Sequence, residues 1–203
     1  MKTLSKILIR NLYHKEGLSA SQVAKKIGVS TWVVMGFMRR NAIKRRNFRE
    51  ANKINFEKKP LSYFVKNNLT KKEEKLKIAG VFLYWAEGAK LSGKNACTVD
   101  FANSNPEMIK VFIKFLRKIC GVNEKKLRLY LYCFSNQDIE KIKNYWYKLT
   151  NIPKDQFTKP YIKQGVVAEK SGKMKYGLVH IRYNDKKLLI QIERWVKEYC
   201  GKI

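Results

Sequence analysis

The sequence predicts an α+β protein in two parts: an all-α N-terminal region, then helices layered over one face of a mainly antiparallel sheet. Apolar residues recur at helical spacing through the N-terminal part. Segments further on alternate apolar and polar residues, as half-buried strands do. The C-terminal order reads helix, strand, helix, strand, helix, strand, strand, helix, the pattern of an α+β layer.

The chain has 203 residues, with 44 Lys+Arg against 16 Asp+Glu and a formal net charge of +28. At 45% hydrophobic and 12% aromatic it holds ample material for a core, so this is a folded basic protein and not a basic tail. No apolar run reaches the roughly 18 residues that cross a bilayer, and the start lacks the features of a signal peptide. A cytoplasmic protein without a membrane segment is expected. The charge excess implies a polyanionic partner, nucleic acid by default, because neutralising phosphates releases condensed counterions. A compositional bias toward A/T-rich codons is the alternative; it explains 34 Lys against 10 Arg better than it explains the scarcity of acids. Cys97, Cys120, Cys133 and Cys200 form no C-x-x-C pair and lie far from His14 and His180, which is not zinc-ligand spacing; Cys120, Cys133 and Cys200, next to apolar residues, read as small buried side chains in a reducing compartment. No Walker loop, Ser-His-Asp arrangement or dinucleotide fingerprint occurs, so nucleotide-driven and acyl-transfer chemistry have no support and no small-molecule cofactor is expected.

In the N-terminal part, Leu4, Ile7, Leu8 and Leu12 mark a first helix ending near Gly17. Ser19 and Gln22 form a capping box that opens a second helix with Val23, Ala24 and Ile27 on its apolar face. Gly28 ends it, Ser30 caps the next, and a third helix runs from Thr31 to Arg40. Two short helices across a glycine-containing turn, with small Ala24 at their crossing, resemble the helix-turn-helix of invertase, resolvase and bacterial repressor families. The resemblance makes Ser30, Thr31, Trp32 and Met35 candidates for facing bases in the major groove. Trp32 either contacts DNA or packs on a neighbouring domain. The arm Arg39, Arg40, Lys44, Arg45, Arg46 and Arg49 favours arginine in a lysine-rich chain, as contacts to phosphates and narrow minor grooves do. Residues 1–46 form this expected module. Residues 47–69, without sustained apolar periodicity to Lys59 and then Pro60, read as a basic linker.

The second module, residues 70–203, opens on the Thr70 to Glu73 capping box and the apolar helix Ile78 to Gly88. Ala79, Phe82, Leu83 and Ala86 fall on one side, where small residues let another backbone approach. Glu87 ends the helix. A carboxylate there opposes the helix dipole, and burial beside Trp85 and Ala86 adds desolvation, so a partner is expected: Lys90 or a divalent metal ion. A strand spans Ala96 to Ala102, with Val99 and Phe101 on one face. A helix starts at Asn103-Ser104-Asn105-Pro106-Glu107 and runs to Ile119, with Met108, Ile109, Val111, Phe112, Phe115 and Leu116 recurring at the helical period. A strand from Leu127 to Phe134 and a helix from Asp138 to Leu149 follow. Two strands, Gln156 to Lys163 and Lys175 to Tyr183, join through a turn at Ser171-Gly172, and Asn184 or Asp185 caps the last helix.

An apolar helix ending in Ala86-Glu87-Gly88 is similar to the motif helix of the LAGLIDADG homing endonucleases, and the order of elements resembles their half-domain. The chain departs from the motif at Trp85, where the family has an acid, and at Phe82, where it has the glycine of closest helix packing. The resemblance implies a magnesium-dependent endonuclease acting on double-stranded DNA, with Glu87 binding Mg²⁺ and a basic side chain, Lys159 or Lys90, stabilising charge on phosphate. With a single motif helix, it further implies a homodimer through the 78–87 helix. The sheet face away from the helices is expected to be basic, through Lys159, Lys163, Lys175 and Arg182. Two other readings stand beside it: a non-cleaving transcription regulator on a degenerate homing-endonuclease fold, and an RNA-binding, maturase-like role for the same sheet.

Overall fold

The computed structural model describes residues 4–91, 97–164 and 174–201. Two compact units divide at Pro60, Met1–Pro60 and Leu61–Ile203. Among the described residues lie eight α-helices and one four-stranded mixed sheet. No helix among them is long and apolar enough to cross a membrane.

The first unit holds α1 (Lys6–Arg10), a π-helical turn (Asn11–Lys15), α2 (Ala20–Ile27), α3 (Thr31–Arg40) and α4 (Phe48–Lys58). Ser5 caps α1 by accepting from Leu8 N at 3.1 Å. The widened π turn sets the inward face: Ile9, Leu12 and Tyr13 are buried, while Ile7, expected inside, is 75% exposed. The expected capping box forms, with Gln22 N donating to Ser19 Oγ at 3.2 Å and Ser19 N to Gln22 Oε1 at 2.9 Å. Gly28 sits at φ +76° with open space around it, so the left-handed backbone and not crowding calls for glycine. Ser30 caps α3 through Val33 N. Val23, Ala24, Ile27, Val34 and Met38 close a small core between α2 and α3.

Residues 47–58, expected as linker, are helical. Asn47 and Glu50 make a reciprocal capping box, with both bonds at 2.9 Å. Ile54 lies against Gly17, and Lys58 Nζ donates to Glu16 O. A good cap and a few contacts hold a helix that buries no residue fully, which is why its sequence lacks a strong apolar stripe.

The remainder of the expected linker belongs to the second unit. Phe64 N and Lys66 N donate to Cys120 O (3.1 Å) and Ile119 O (2.9 Å). Ser62 Oγ bonds Asp185 Oδ2 at 2.5 Å and receives Lys126 Nζ at 2.7 Å. Asp185, not Asn184, caps the last helix, accepting from Lys187 N and Leu188 N.

This unit contains α5 (Lys71–Glu87), β1 (Val99–Asn103), α6 (Pro106–Lys118), β2 (Leu127–Phe134), α7 (Ile139–Thr150), β3 (Tyr161–Lys163), β4 (Leu178–Tyr183) and α8 (Lys186–Cys200). Sheet order is β1-β4-β2-β3, with β4 antiparallel to β1 and β2, and β3 parallel to β2. Alternation places Val99, Phe101, Leu127, Leu129, Leu131, Val179 and Ile181 in the core with the helices. The third and fourth strands are shorter than expected: Gln156 lies in a 3₁₀ turn, Lys159 precedes β3, and Lys175 precedes β4. Ala96 and the expected Ser171-Gly172 turn lie outside the described residues. Cys120 and Cys133 are buried as expected, Cys200 partly so, and Cys97 is exposed; all are free thiols.

Candidate nucleic-acid interface and the Glu87 helix end

In the first unit, the N-terminus and outer side of α3 line an open groove of about 640 Å³ with Trp32, Met35, Gly36, Arg39, Arg40 and Arg45. Trp32 stands 84% exposed, and Ser30 is exposed beside it; Thr31 and Met35 are half-buried. Lys44, Arg45 and Arg49 are exposed as well. Arg46 is different. Its guanidinium lies over the Tyr13 ring, 4.2 Å from the centroid, and Nη2 donates to Leu18 O, while its backbone N donates to Tyr13 Oη. Arg46 therefore holds the arm onto the unit, and the cationic row that faces outward runs through Arg39, Arg40, Lys44, Arg45 and Arg49 instead.

In the second unit, α5 packs one face inward through Gly80, Val81 and Tyr84. The opposite face is apolar and opens outward: exposed Ala79 and Ala86, with half-buried Phe82 and Leu83, border an open groove of about 480 Å³ with Met108 and Val111 of α6. Met108 and Val111, part of the helical apolar recurrence, border this outward groove, Met108 also packing against the core; Ile113 is buried beside Ile109 and Phe112. Gly80, upstream of the position where the motif family has its glycine, faces α6 within its own unit.

The end of α5 is held firmly. Tyr84, fully buried, donates from Oη to Ala89 O at 2.7 Å, and burial pushes its phenol pKa up. Lys90 Nζ donates to Tyr84 O (3.3 Å) and Trp85 O, so this ammonium neutralises the negative end of the helix dipole. Glu87 is exposed, as are Trp85 and Ala86, so the expected desolvation does not arise. Nor does the expected pair with Lys90: among the described residues the Glu87 carboxylate has no hydrogen bond or ion pair, and Lys90 is spent on carbonyls. Immediately after Glu87 the chain joins the sheet edge, with Gly88 bridging Phe101 and Ala89 N donating to Asp100 O at 2.9 Å.

Lys159 is exposed beside β3, at the opposite edge of the sheet from β1. Three strand spacings, about 14 Å, separate those edges, so Lys159 and Glu87 of one chain do not share a site. No group of three or more His, Cys, Asp or Glu gathers among the described residues. At the end of α5, one chain thus offers a divalent ion one carboxylate, that of Glu87.

The outer sheet face is less basic and more aromatic than expected. Arg128, Lys163 and Arg182 lie on it, Arg128 directly opposite Arg182 and bonded to Lys125 O and Leu127 O; Lys175 sits in the turn over Tyr176, and Tyr130, Tyr132, Tyr161, His180 and Asp100 share the face. The tyrosines were legible as the polar half of each alternation; the Asp100–Arg182 pairing depends on strand register, which no local signal fixes. No protein-family model, curated protein or solved structure matches this chain.

Proposed function

We propose that the protein is a site-specific double-stranded DNA-binding protein and a divalent-metal-dependent DNA endonuclease that works as a homodimer. One observation carries this reading: Glu87, exposed and unpaired, terminates a rigid helix whose outer face is apolar and opens outward. Docking α5 against its copy through Ala79, Phe82, Leu83 and Ala86 buries that face and brings two Glu87 carboxylates toward one axis. Two like charges so placed favour a cation between or beside them.

Magnesium, when bound by the two Glu87 side chains, supplies the Lewis acid that activates water and stabilises the leaving oxygen. The protein's own part is placement. The Tyr84–Ala89 bond and the Lys90 cap hold the helix end from which Glu87 projects, and Gly88 and Ala89 join that end to the sheet edge. The first unit supplies target choice: α2 and α3 act as a helix-turn-helix, with Ser30, Trp32 and Met35 toward bases and the Arg39 to Arg49 row, without Arg46, along phosphates.

A non-cleaving regulator on the same scaffold is favoured by two observations. Trp85 stands where the motif has a second acid, and Lys90 is committed to the helix end. Incubating the chain with duplex DNA from its own gene's flanks, with and without magnesium, separates the two. Magnesium-dependent double-strand cutting supports the enzyme, and binding without cutting at all metal concentrations supports the regulator.

A further inference from the structure

The outer face of the sheet carries a constellation that neither net charge nor the Glu87 helix explains. Asp100 on β1 lies opposite Arg182 on β4. Its carboxylate accepts from Arg182 Nε at 2.7 Å and from His180 Nδ1 at 2.9 Å. Burial works to raise the Asp100 pKa, but the bonds and charges of His180 and Arg182 prevail and hold it below the usual carboxylate range. The acid is therefore ionised at neutral pH and grips Arg182 by a charge-assisted bond. From the β2 side, the Tyr130 ring lies under the guanidinium, 4.5 Å from Cζ to centroid, and His180 meets that ring edge-on at 5.3 Å.

The guanidinium plane is thus fixed twice, by an anchored Nε and by a ring face. Its two terminal amino groups have no hydrogen-bond partner among the described residues, and the side chain is 36% exposed. An arginine fork also suits a phosphate, but the ion pair with Asp100 offsets the net charge that draws Arg182 to phosphate and leaves its two terminal N–H groups free. A fixed fork with two free N–H groups is suited to a pair of acceptors at set spacing, and in the major groove only guanine offers two, O6 and N7. The Tyr130 face is covered by Arg182, and Tyr132 and Tyr161 stack on each other at 5.0 Å, so the face offers little platform for unpaired bases.

Resting on the duplex-DNA reading above, we propose that Arg182 reads guanine from the major groove and that Asp100 is its positioning residue. The bond from Ala89 N to Asp100 O ties this reader to the chain leaving Glu87, so the guanine it selects lies beside the candidate cleavage centre.

The test is selection of binding sites by the whole chain from a randomised duplex library. Wild type enriches guanine at a defined position. R182A and R182K lose that preference and keep the others, because lysine retains charge but not the fork. Replacing that guanine by 7-deazaguanine, which removes N7 and leaves pairing intact, weakens wild type about 5- to 150-fold and R182A not at all. D100N, with its fold checked by circular dichroism, loses part of the same preference. An R182A protein that selects unchanged sites overturns the assignment. So does one that loses affinity evenly across all sequences with a shallower salt dependence, which makes Arg182 a phosphate contact. Wild type enriching no site at all defeats the duplex reading itself, and this assignment with it.

Discussion

Phe115 of α6 lies directly across Gly80 of α5: a β-carbon at Gly80 would stand 2.1 Å from the Phe115 Cγ. This contact brings the two helices close enough to bury Val81, Tyr84, Phe112 and Leu116 in one core. It also decides which face of α5 is left outside. With Gly80 and Tyr84 turned inward, Ala79, Phe82, Leu83 and Ala86 are carried to the surface, and Glu87 to the exposed end.

Gly80→Ala therefore destabilises the second unit, because Phe115 is fully buried and has nowhere to retreat. A loss of about 1–3 kcal/mol is expected from overpacking, or a fall of roughly 2–10 °C in that unit's thermal midpoint. Tryptophan fluorescence follows it, since Trp85, Trp146 and Trp195 all belong to that unit. An unchanged midpoint contradicts the packing.

Arg45 and Arg46 are neighbours with opposite expected behaviour. Arg46→Ala removes the stack on Tyr13 and the bond to Leu18 O, lowering the stability of the first unit by about 1–2 kcal/mol. Arg45→Ala leaves the melt unchanged and weakens duplex binding, with a shallower dependence on salt. Melting and salt-titrated binding on both variants distinguish them from a pair of equivalent phosphate contacts.

Acid sensitivity centres partly on the start of α5. The hydrogen bond from Lys66 Nζ, with those from Thr70, holds the Glu73 carboxyl down to about 2. A folded-state pKa below the unfolded value means that the stabilisation is complete above about pH 5 and is lost as pH falls through the folded value. The melting difference between wild type and Glu73→Gln should then be largest above pH 5 and shrink steadily toward pH 2. A difference independent of pH contradicts the assignment.

The outward-opening face of α5 predicts self-association. Leu83→Lys places a charge in the two-fold contact at a half-buried position, so light scattering should find a monomer where wild type is a dimer, with circular dichroism checking that the core Leu83 touches stays folded. Losing a buried leucine from each copy is expected to raise the dissociation constant at least about 100-fold. A monomeric wild type removes the homodimer from the account.

Much of the frame was legible in the residues. The Ser19 and Thr70 capping boxes, the turn at Gly28 and the inward strand residues Val99 and Phe101 follow from local chemistry, and all appear in the structure. What escaped depended on contacts that local patterns do not show. Arg46 looks like its arginine neighbours until Tyr13 is folded beneath it. Met108 and Val111 share the helical period of the core, yet sit at its edge where no second layer covers them. Lys90 was a candidate catalytic group by nearness to Glu87 in sequence, but the helix end claims it first. Asp100 and Arg182, 82 positions apart, meet only through strand register.

The most direct measurement is cleavage of target duplex by wild type and Glu87→Gln, with binding measured in parallel. The account predicts magnesium-dependent double-strand breaks by wild type and a loss of at least about 100-fold in rate for Glu87→Gln, with duplex affinity in calcium retained. Cutting that persists in Glu87→Gln, or wild type that binds its target and never cuts, contradicts it.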